Sequence, residues 1–265
     1  MKANRSNKVD FIHVGVMRGA STWLEQALKE HPAIEIHKTR LFVDHQDMSQ
    51  VPLKTCQSKL LGLVNEKLLN LPEVPKLIYQ TFPQVKVIVV LRNPVSRLVS
   101  GYCLYKSNHI TSKIDLEEFV KNYNKGKLNI QIGLYKKDVE NYLQYIPREN
   151  MGFFLFDELK NDSRNFIASI YKYLGVNANF IPSMISQRIN IGVHLDSNWV
   201  KKIPFIIKHS FLSGLFYRFI ERFLKSETEK LIHHYKDFLD DHKSFYKNEN
   251  KGLDELIGVD TSHWY

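Results

Sequence analysis

The stretch Phe11-Ile12-His13-Val14-Gly15-Val16-Met17-Arg18-Gly19-Ala20-Ser21-Thr22-Trp23-Leu24 decides the fold. Phe11 to Gly15 is a short, largely apolar run with the character of a buried strand, and it breaks at a glycine. Trp23-Leu24-Glu25-Gln26-Ala27-Leu28 then has helical spacing. A strand, a tight turn and a helix with hydroxyls in its first turn make a phosphate-binding arrangement. The first N–H groups of a helix have no intrahelical partner and point outward, where an anion satisfies them. Gly15 and Gly19 permit positive φ or close backbone approach. Ser21 and Thr22 add hydroxyl donors, and Arg18 adds a planar cation. The nucleoside-triphosphate loop needs Gly, four residues, Gly, Lys and then Ser or Thr. Counted from Gly15, Ala20 stands where the second glycine belongs and Ser21 where the lysine belongs. The turn is phosphate-binding in kind, but it is not the ATP or GTP loop.

Outward from this stretch, strands and helices alternate. His31-Pro32 closes the first helix, and Ala33 to Ile36 fits a second strand; residues 37–58 read as a loop with a short helix. Leu60 to Val64 is a third strand, and Leu77 to Phe82 a helix stopped by Pro83. Lys86-Val87-Ile88-Val89-Val90-Leu91 is the clearest strand, β-branched and continuous, as expected of a central parallel strand buried on both faces. It runs into Arg92-Asn93-Pro94, which starts a helix with proline in its first turn. A helix opens at Gly133-Leu134-Tyr135, another apolar strand spans Met151 to Phe156, and Gly175 ends a helix through Leu174. Residues 183–198 form a loop, 199–246 are mainly helical, and the tail from Tyr246 to Gly258 ends in a short amphipathic helix before His263.

This alternation predicts right-handed βαβ units and an α/β fold: a single domain over residues 1–265, with a central parallel β-sheet flanked by helices and a helical portion from about 199 to 265. In such sheets the ligand lies at the carboxyl ends of the strands. Arg18, His37, Arg92 and Asp157 all fall just past predicted strand ends, so they are expected to converge. For Arg92 the alternative is a guanidinium satisfied by a backbone carbonyl at the strand end, with Ser100 as plain helix surface.

The chain has 37 Lys and Arg against 28 Asp and Glu, a formal charge of +9, which favours an anionic partner. That charge is spread along the chain, and no helix-turn-helix, finger or stacking motif supports nucleic acid. Cys56 and Cys103 are too few for a disulfide framework and lack the Cys-x-x-Cys spacing, and no metal is expected. The basic stretch Met1 to Lys8 is followed by too short an apolar run for a secretory signal, and no segment is long enough to span a membrane. The chain is read as cytoplasmic; oligomeric state is not legible.

Two motifs together resemble the sulfotransferases that use 3′-phosphoadenylyl sulfate (PAPS), in particular the bacterial and heparan-sulfate types. Gly15 to Leu24 is similar to the loop that holds the 5′-phosphosulfate. Val89-Val90-Leu91-Arg92-Asn93-Pro94-Val95-Ser96-Arg97-Leu98-Val99-Ser100-Gly101-Tyr102 resembles the 3′-phosphate element, with Arg92 and Ser100 at its two ligand positions. Phe154-Leu155-Phe156-Asp157-Glu158-Leu159 resembles the strand end whose aromatic lies near adenine, which makes Phe156 that aromatic. Tyr246 to Leu256 is similar to the family's C-terminal segment. The resemblance implies a P-loop-like fold and an enzyme that takes PAPS as co-substrate, releases PAP (3′,5′-ADP), and sulfates a hydroxyl or amine of an acidic saccharide or small molecule. It implies a cofactor set of Arg18, Gly19, Ala20, Ser21, Thr22, Trp23, Arg92, Ser100 and Phe156. Arg188, in the 183–198 loop, completes the candidate set.

Two departures bear on catalysis. Arg18 stands where the family often has lysine; it still supplies positive charge to the bridging oxygen but donates no proton at neutral pH. Heparan-type members place a glutamate base right after a lysine, whereas Lys38 is followed here by Thr39. His37 and His45 are the leading substitutes, having ordinary pKa values suited to the task; Glu35, Asp44 and Glu66 are the remaining candidates. Alternative functions are a PAPS- or PAP-binding protein that has lost transfer, and a P-loop-like nucleotide kinase.

Overall fold

The computed structural model describes residues 9–38, 58–109, 112–122, 124–186 and 228–265. The chain divides into two compact units. The first comprises Met1–Asn93, Leu134–Gln187 and Glu249–Trp264, and the second Pro94–Gly133, Arg188–Asn248 and Tyr265.

The first unit is built on five parallel strands: β1 (Phe11–Gly15), β2 (Ile34–Lys38), β3 (Leu60–Val64), β4 (Lys86–Leu91) and β5 (Met151–Leu155). Their order across the sheet is β2-β3-β1-β4-β5, all pairs parallel. β1 and β5 are buried along their whole length, as is β4 beyond Lys86, which is why they read as nearly continuous apolar runs. The connection through α1 (Ser21–Glu30) leaves β1 in one direction across the sheet. The one through α2 (Val74–Thr81) crosses from β3 to β4 in the other. Right-handed crossovers of opposite direction cover opposite faces of a sheet.

On the α1 face lies α8 (Ser163–Leu174), with Tyr171 Oη donating to the Ala27 carbonyl at 2.9 Å and Phe166 packed edge-on to Trp23. On the α2 side lies α6 (Tyr135–Leu143); Asn141 Nδ2 donates to the Pro72 carbonyl at 2.9 Å and Tyr142 Oη to the Leu68 carbonyl at 3.1 Å. Gly175, at φ 81, terminates α8, and α10 (Leu253–Ile257) and a short 3-10 turn at Ser262–Trp264 complete the unit. A short α7 (Phe156–Asn161) begins at the residue after β5, so Phe156 opens a helix rather than closing a strand.

The second unit contains α3 (Pro94–Asn108), α4 (Leu116–Asn122), α5 (Asn124–Gln131) and all but the last residue of α9 (Lys236–Glu249). Its core gathers Leu98, Val99, Tyr102, Leu116, Phe119, Val120 and Leu239. Arg97 is fully buried there, its Nη1 and Nη2 donating to the side chain and the carbonyl of Asn129. A Cβ on Gly101 would run into that same Asn129 side chain. Among the described residues no helix is long and apolar enough to cross a membrane.

Two buried titratable groups in the first unit pull in opposite directions. His13, at the centre of the sheet on β1, has its pKa lowered from 6.5 to about 4, burial being the main cause, so it is neutral at pH 7. Burial raises Asp138 on α6 from 3.8 to about 7, although Asn70 donates to it. Between those two values the native state binds a proton at Asp138 that the unfolded chain has released, so stability falls as pH rises from about 4 to about 7. In Asp138→Asn this component vanishes while the Asn70 bond keeps an acceptor. The difference in melting temperature, variant minus wild type, is therefore expected to grow over this range and to level off above it. A pH-independent difference in thermal melts would disprove the assignment.

Candidate nucleotide site

β1 sits between β3 and β4, at the point where the order of connections reverses, and the turn after it opens at the carboxyl ends of these strands. Val16 N–H donates to the Val90 carbonyl at 2.9 Å, tying the turn to the end of β4, and Gly19 N–H donates back to Val16 at 2.9 Å. Gly19 is required by space: a Cβ there would lie 2.7 Å from the Val90 carbonyl oxygen and 2.8 Å from that of Val16. On either side of it Arg18 and Ala20 take left-handed conformations, each with φ 69. For residues with a side chain that state costs roughly 1–2 kcal/mol, and such strain is commonly held at functional sites.

Ala20 caps α1 without any side-chain hydrogen bond, and the first intrahelical bond runs from Leu24 N–H to the Ala20 carbonyl. The N–H groups of Ser21, Thr22 and Trp23 therefore precede the ladder at a helix end with no acidic residue in its first turn. A helix N-terminus in that condition favours an anion. Ser21 and Thr22 carry their hydroxyls at this end, Ser21 half-buried and Thr22 exposed. Trp23 contributes its backbone only, since its ring is buried against Phe166.

Arg92 reaches the same turn from the end of β4. Its Nη1 donates to the Arg18 carbonyl at 3.0 Å, while its guanidinium lies 4.6 Å from the centre of the Phe156 ring. The contact with Arg18 is the strand-end carbonyl bond that forms the alternative to a ligand role for Arg92, and the five donors of a guanidinium leave the two roles compatible. Lys160 Nζ lies 5.1 Å from the same ring, so two cations share one aromatic. The Lys160 pKa is lowered by burial first and by repulsion from Arg92 second, while Asp157 raises it.

His37 departs from expectation. β2 continues through Lys38, because its pairing with β3 runs on to Val64, so His37 lies within the strand. Through Leu63 it is level with Ile12, three residues before Gly15. Two strand spacings across and three residues along put it roughly 14 Å from the start of the turn. Its Nε2 instead pairs with Glu35 Oε1 at 2.9 Å, so two of the candidate bases are engaged with each other. Glu66 lies beside the turn, its carbonyl where a Cβ of Gly15 would fall. Asp157 follows Phe156 and accepts from the Trp264 indole N–H at 2.8 Å. Ser100 lies on α3 in the second unit, half-buried. His45, Asp44 and Arg188 fall outside the described residues.

Sequence reading missed the residues that hold Arg92 in place. Tyr135, at the start of α6, donates from its hydroxyl to the Arg92 carbonyl at 2.6 Å, and its ring meets Trp264 edge-on. Nothing in local periodicity signals a contact across more than 40 residues.

A family model described as a sulfotransferase domain matches residues 8–211. The chain belongs to the sulfotransferase domain family. It is 24% identical to heparan sulfate glucosamine 3-O-sulfotransferase 3A1 of Mus musculus over 213 residues, which cover 74% of this chain and 51% of that protein. It is 31% identical to 3-beta-hydroxysteroid sulfotransferase of Cavia porcellus over 93 residues, or 35% of this chain and 32% of that one. The matches thus span from about a third to about half of the length of these curated relatives. A crystal structure of a sulfotransferase from Alicyclobacillus acidocaldarius is similar over 97% of this chain and 98% of its own, with a TM-score of 0.64 at 18% identity, which is a likeness of fold.

The turn makes a paired prediction for this sulfotransferase-family chain. Gly19→Ala is expected to lower the melting temperature and to weaken 3′,5′-ADP binding by more than tenfold, because the methyl group must displace either β4 at Val90 or the turn at Val16. Ala20→Gly is expected to change stability little. It relieves about 1–2 kcal/mol of left-handed strain but adds roughly 1 kcal/mol of unfolded-chain entropy. Calorimetry and nucleotide titration on the two variants check both halves.

Proposed function

We propose that the protein is a sulfotransferase moving a sulfuryl group from PAPS to a hydroxyl or amine acceptor, with PAP as the product. One observation carries this reading: the Arg92 guanidinium binds the Arg18 carbonyl and stacks on Phe156, joining the two motifs on which the family resemblance rests. The family match runs through segments of both units, which supports treating residues 1–265 as one sulfotransferase domain.

The residues present fit the nucleotide. The N–H groups opening α1, with the Ser21 and Thr22 hydroxyls, suit the 5′-phosphate, and Arg18 offsets the charge that gathers on it as the sulfuryl group leaves. Arg92 takes the 3′-phosphate, beside Phe156 as the aromatic near adenine; for Ser100 and Arg188 the support is the sequence alone. PAPS supplies the activated sulfuryl group, and the protein contributes position and charge.

For the proton acceptor, the placement of His37 weighs against it and toward His45. The acceptor's class is supported from two sides: the +9 charge favours an acidic saccharide, while the relatives bear names of both a heparan sulfate glucosamine enzyme and a hydroxysteroid enzyme. One observation favours a second reading, nucleotide binding without transfer: Thr39 stands where heparan-type members carry their base.

A turnover assay with labelled PAPS and saccharide, steroid and phenol acceptors, run beside 3′,5′-ADP titration, separates the two. Transfer to any acceptor supports the enzyme, and binding with no transfer supports the second reading. A general base is worth roughly 10²–10⁴-fold, so His45→Ala is expected to reduce kcat by about 100-fold or more at unchanged nucleotide affinity, and His37→Ala only severalfold. The reverse order of effects would put the base on β2.

A further inference from the structure

We propose that Trp264 and Asp157 are positioning residues that set the selectivity of the Arg92 site for a 3′-phosphorylated nucleotide. This rests on the reading of Arg92 given above and goes beyond it, because neither residue is assigned to touch the nucleotide.

The β4–β5 pairing holds as far as Leu91 opposite Leu155, the last matched residues of the two strands. The groups that matter, Arg92 and Phe156, are the next residues on each chain, past the point where sheet hydrogen bonds fix their spacing. Trp264 spans that gap. Its backbone carbonyl accepts from Asn93 Nδ2 at 3.0 Å, one residue after Arg92. Its indole N–H donates to Asp157 Oδ2 at 2.8 Å, one residue after Phe156. Its ring meets the ring of Tyr135 at 6.0 Å and 67°, and the Tyr135 hydroxyl holds the Arg92 carbonyl. A single residue, only 3% exposed, thus holds the neighbours of both members of the Arg92–Phe156 stack, Asn93 through its backbone and Asp157 through its indole, and its ring packs on the donor that fixes the Arg92 backbone.

Asp157 has two further nitrogens within range, His263 Nε2 at 3.6 Å and Lys160 Nζ at 3.9 Å, but both distances are longer than its bond to the indole. The short neutral donor therefore orients the carboxylate. With Trp264 in place, the guanidinium is presented in one orientation, which is what recognition of a compact dianion by a planar fork requires. A small displacement of a pre-set group lowers such recognition well before it unfolds the protein.

Titration of 3′,5′-ADP and 5′-AMP, with thermal melts on each variant, tests this. The variants are Trp264→Phe, which deletes the N–H and keeps a ring, Asp157→Asn, which keeps an acceptor oxygen, Asp157→Leu, which keeps none, and Arg92→Ala. Wild type is expected to prefer 3′,5′-ADP and Arg92→Ala to lose that preference. Trp264→Phe and Asp157→Leu are expected to lower the preference by about tenfold, the scale of one charge-assisted contact. Their 5′-AMP affinity should stay within about twofold, and Asp157→Asn should recover most of the preference. If wild type shows no preference, or Arg92→Ala retains it, the reading of Arg92 fails and this inference with it. If those two behave as expected but Trp264→Phe keeps the full preference, or loses both nucleotides equally along with stability, the positioning role alone is overturned.

Discussion

A single hydrogen bond, from Arg92 Nη1 to the Arg18 carbonyl, ties the candidate site together. It links the end of β4 to the turn after β1, two neighbouring strands whose sequence segments lie far apart. Arg18 is held in a left-handed conformation that its side chain disfavours. A charge-assisted bond to its carbonyl is one of the forces that keep it there, with the Val16–Val90 bond on the other side of the turn. Without the guanidinium, the turn would lose a restraint at a residue held in a left-handed conformation. The same group therefore preserves the shape of the turn and supplies positive charge beside it, and neither role can be removed alone by substitution at Arg92.

The architecture was largely legible because parallel strands buried on both faces leave an unbroken apolar signature. Lys86 to Leu91 and Leu60 to Val64 match the observed strands residue for residue, and Met151 to Leu155 differs only at Phe156. Phe156 is apolar and follows three apolar residues, so nothing in the pattern marks it as the start of a helix. β2 differs for another reason. His37 and Lys38 break the apolar run, so the sequence predicts a loop from there, but β2 is an edge strand of the sheet and an edge tolerates polar residues. Its length is set by pairing with β3, which no local reading sees. α4 and α5 went unread because Leu116, Phe119 and Val120 are too few apolar positions, over too short a span, to stand out as a period.

The arginines of the Arg92–Tyr102 segment illustrate what spacing leaves open. Arg92 and Arg97 are five residues apart in one motif, and by residue type they are equivalent candidates for an anion. Arg97 is 0% exposed within the second unit and both its terminal nitrogens donate to Asn129, so it is part of a packed core. Arg92 is partly exposed at a strand end, against an aromatic face. Burial decides between the two, and burial is a property of the fold.

Around Arg92 the electrostatics also have a direction. Arg92 and Lys160 both lie against Phe156, and the Lys160 pKa is lowered first by burial and then by repulsion from Arg92. The nearby carboxylate, Asp157, is turned toward the Trp264 indole and lies 3.9 Å from Lys160. Two cations crowded on one ring gain from a bound dianion twice, by direct attraction and by relief of their mutual repulsion. The turn after β1 adds a helix N-terminus with the same preference. These two positive regions meet at the Arg92–Arg18 bond, an arrangement that supports the proposed 3′-phosphorylated nucleotide, with its two separated phosphates, over a monophosphate.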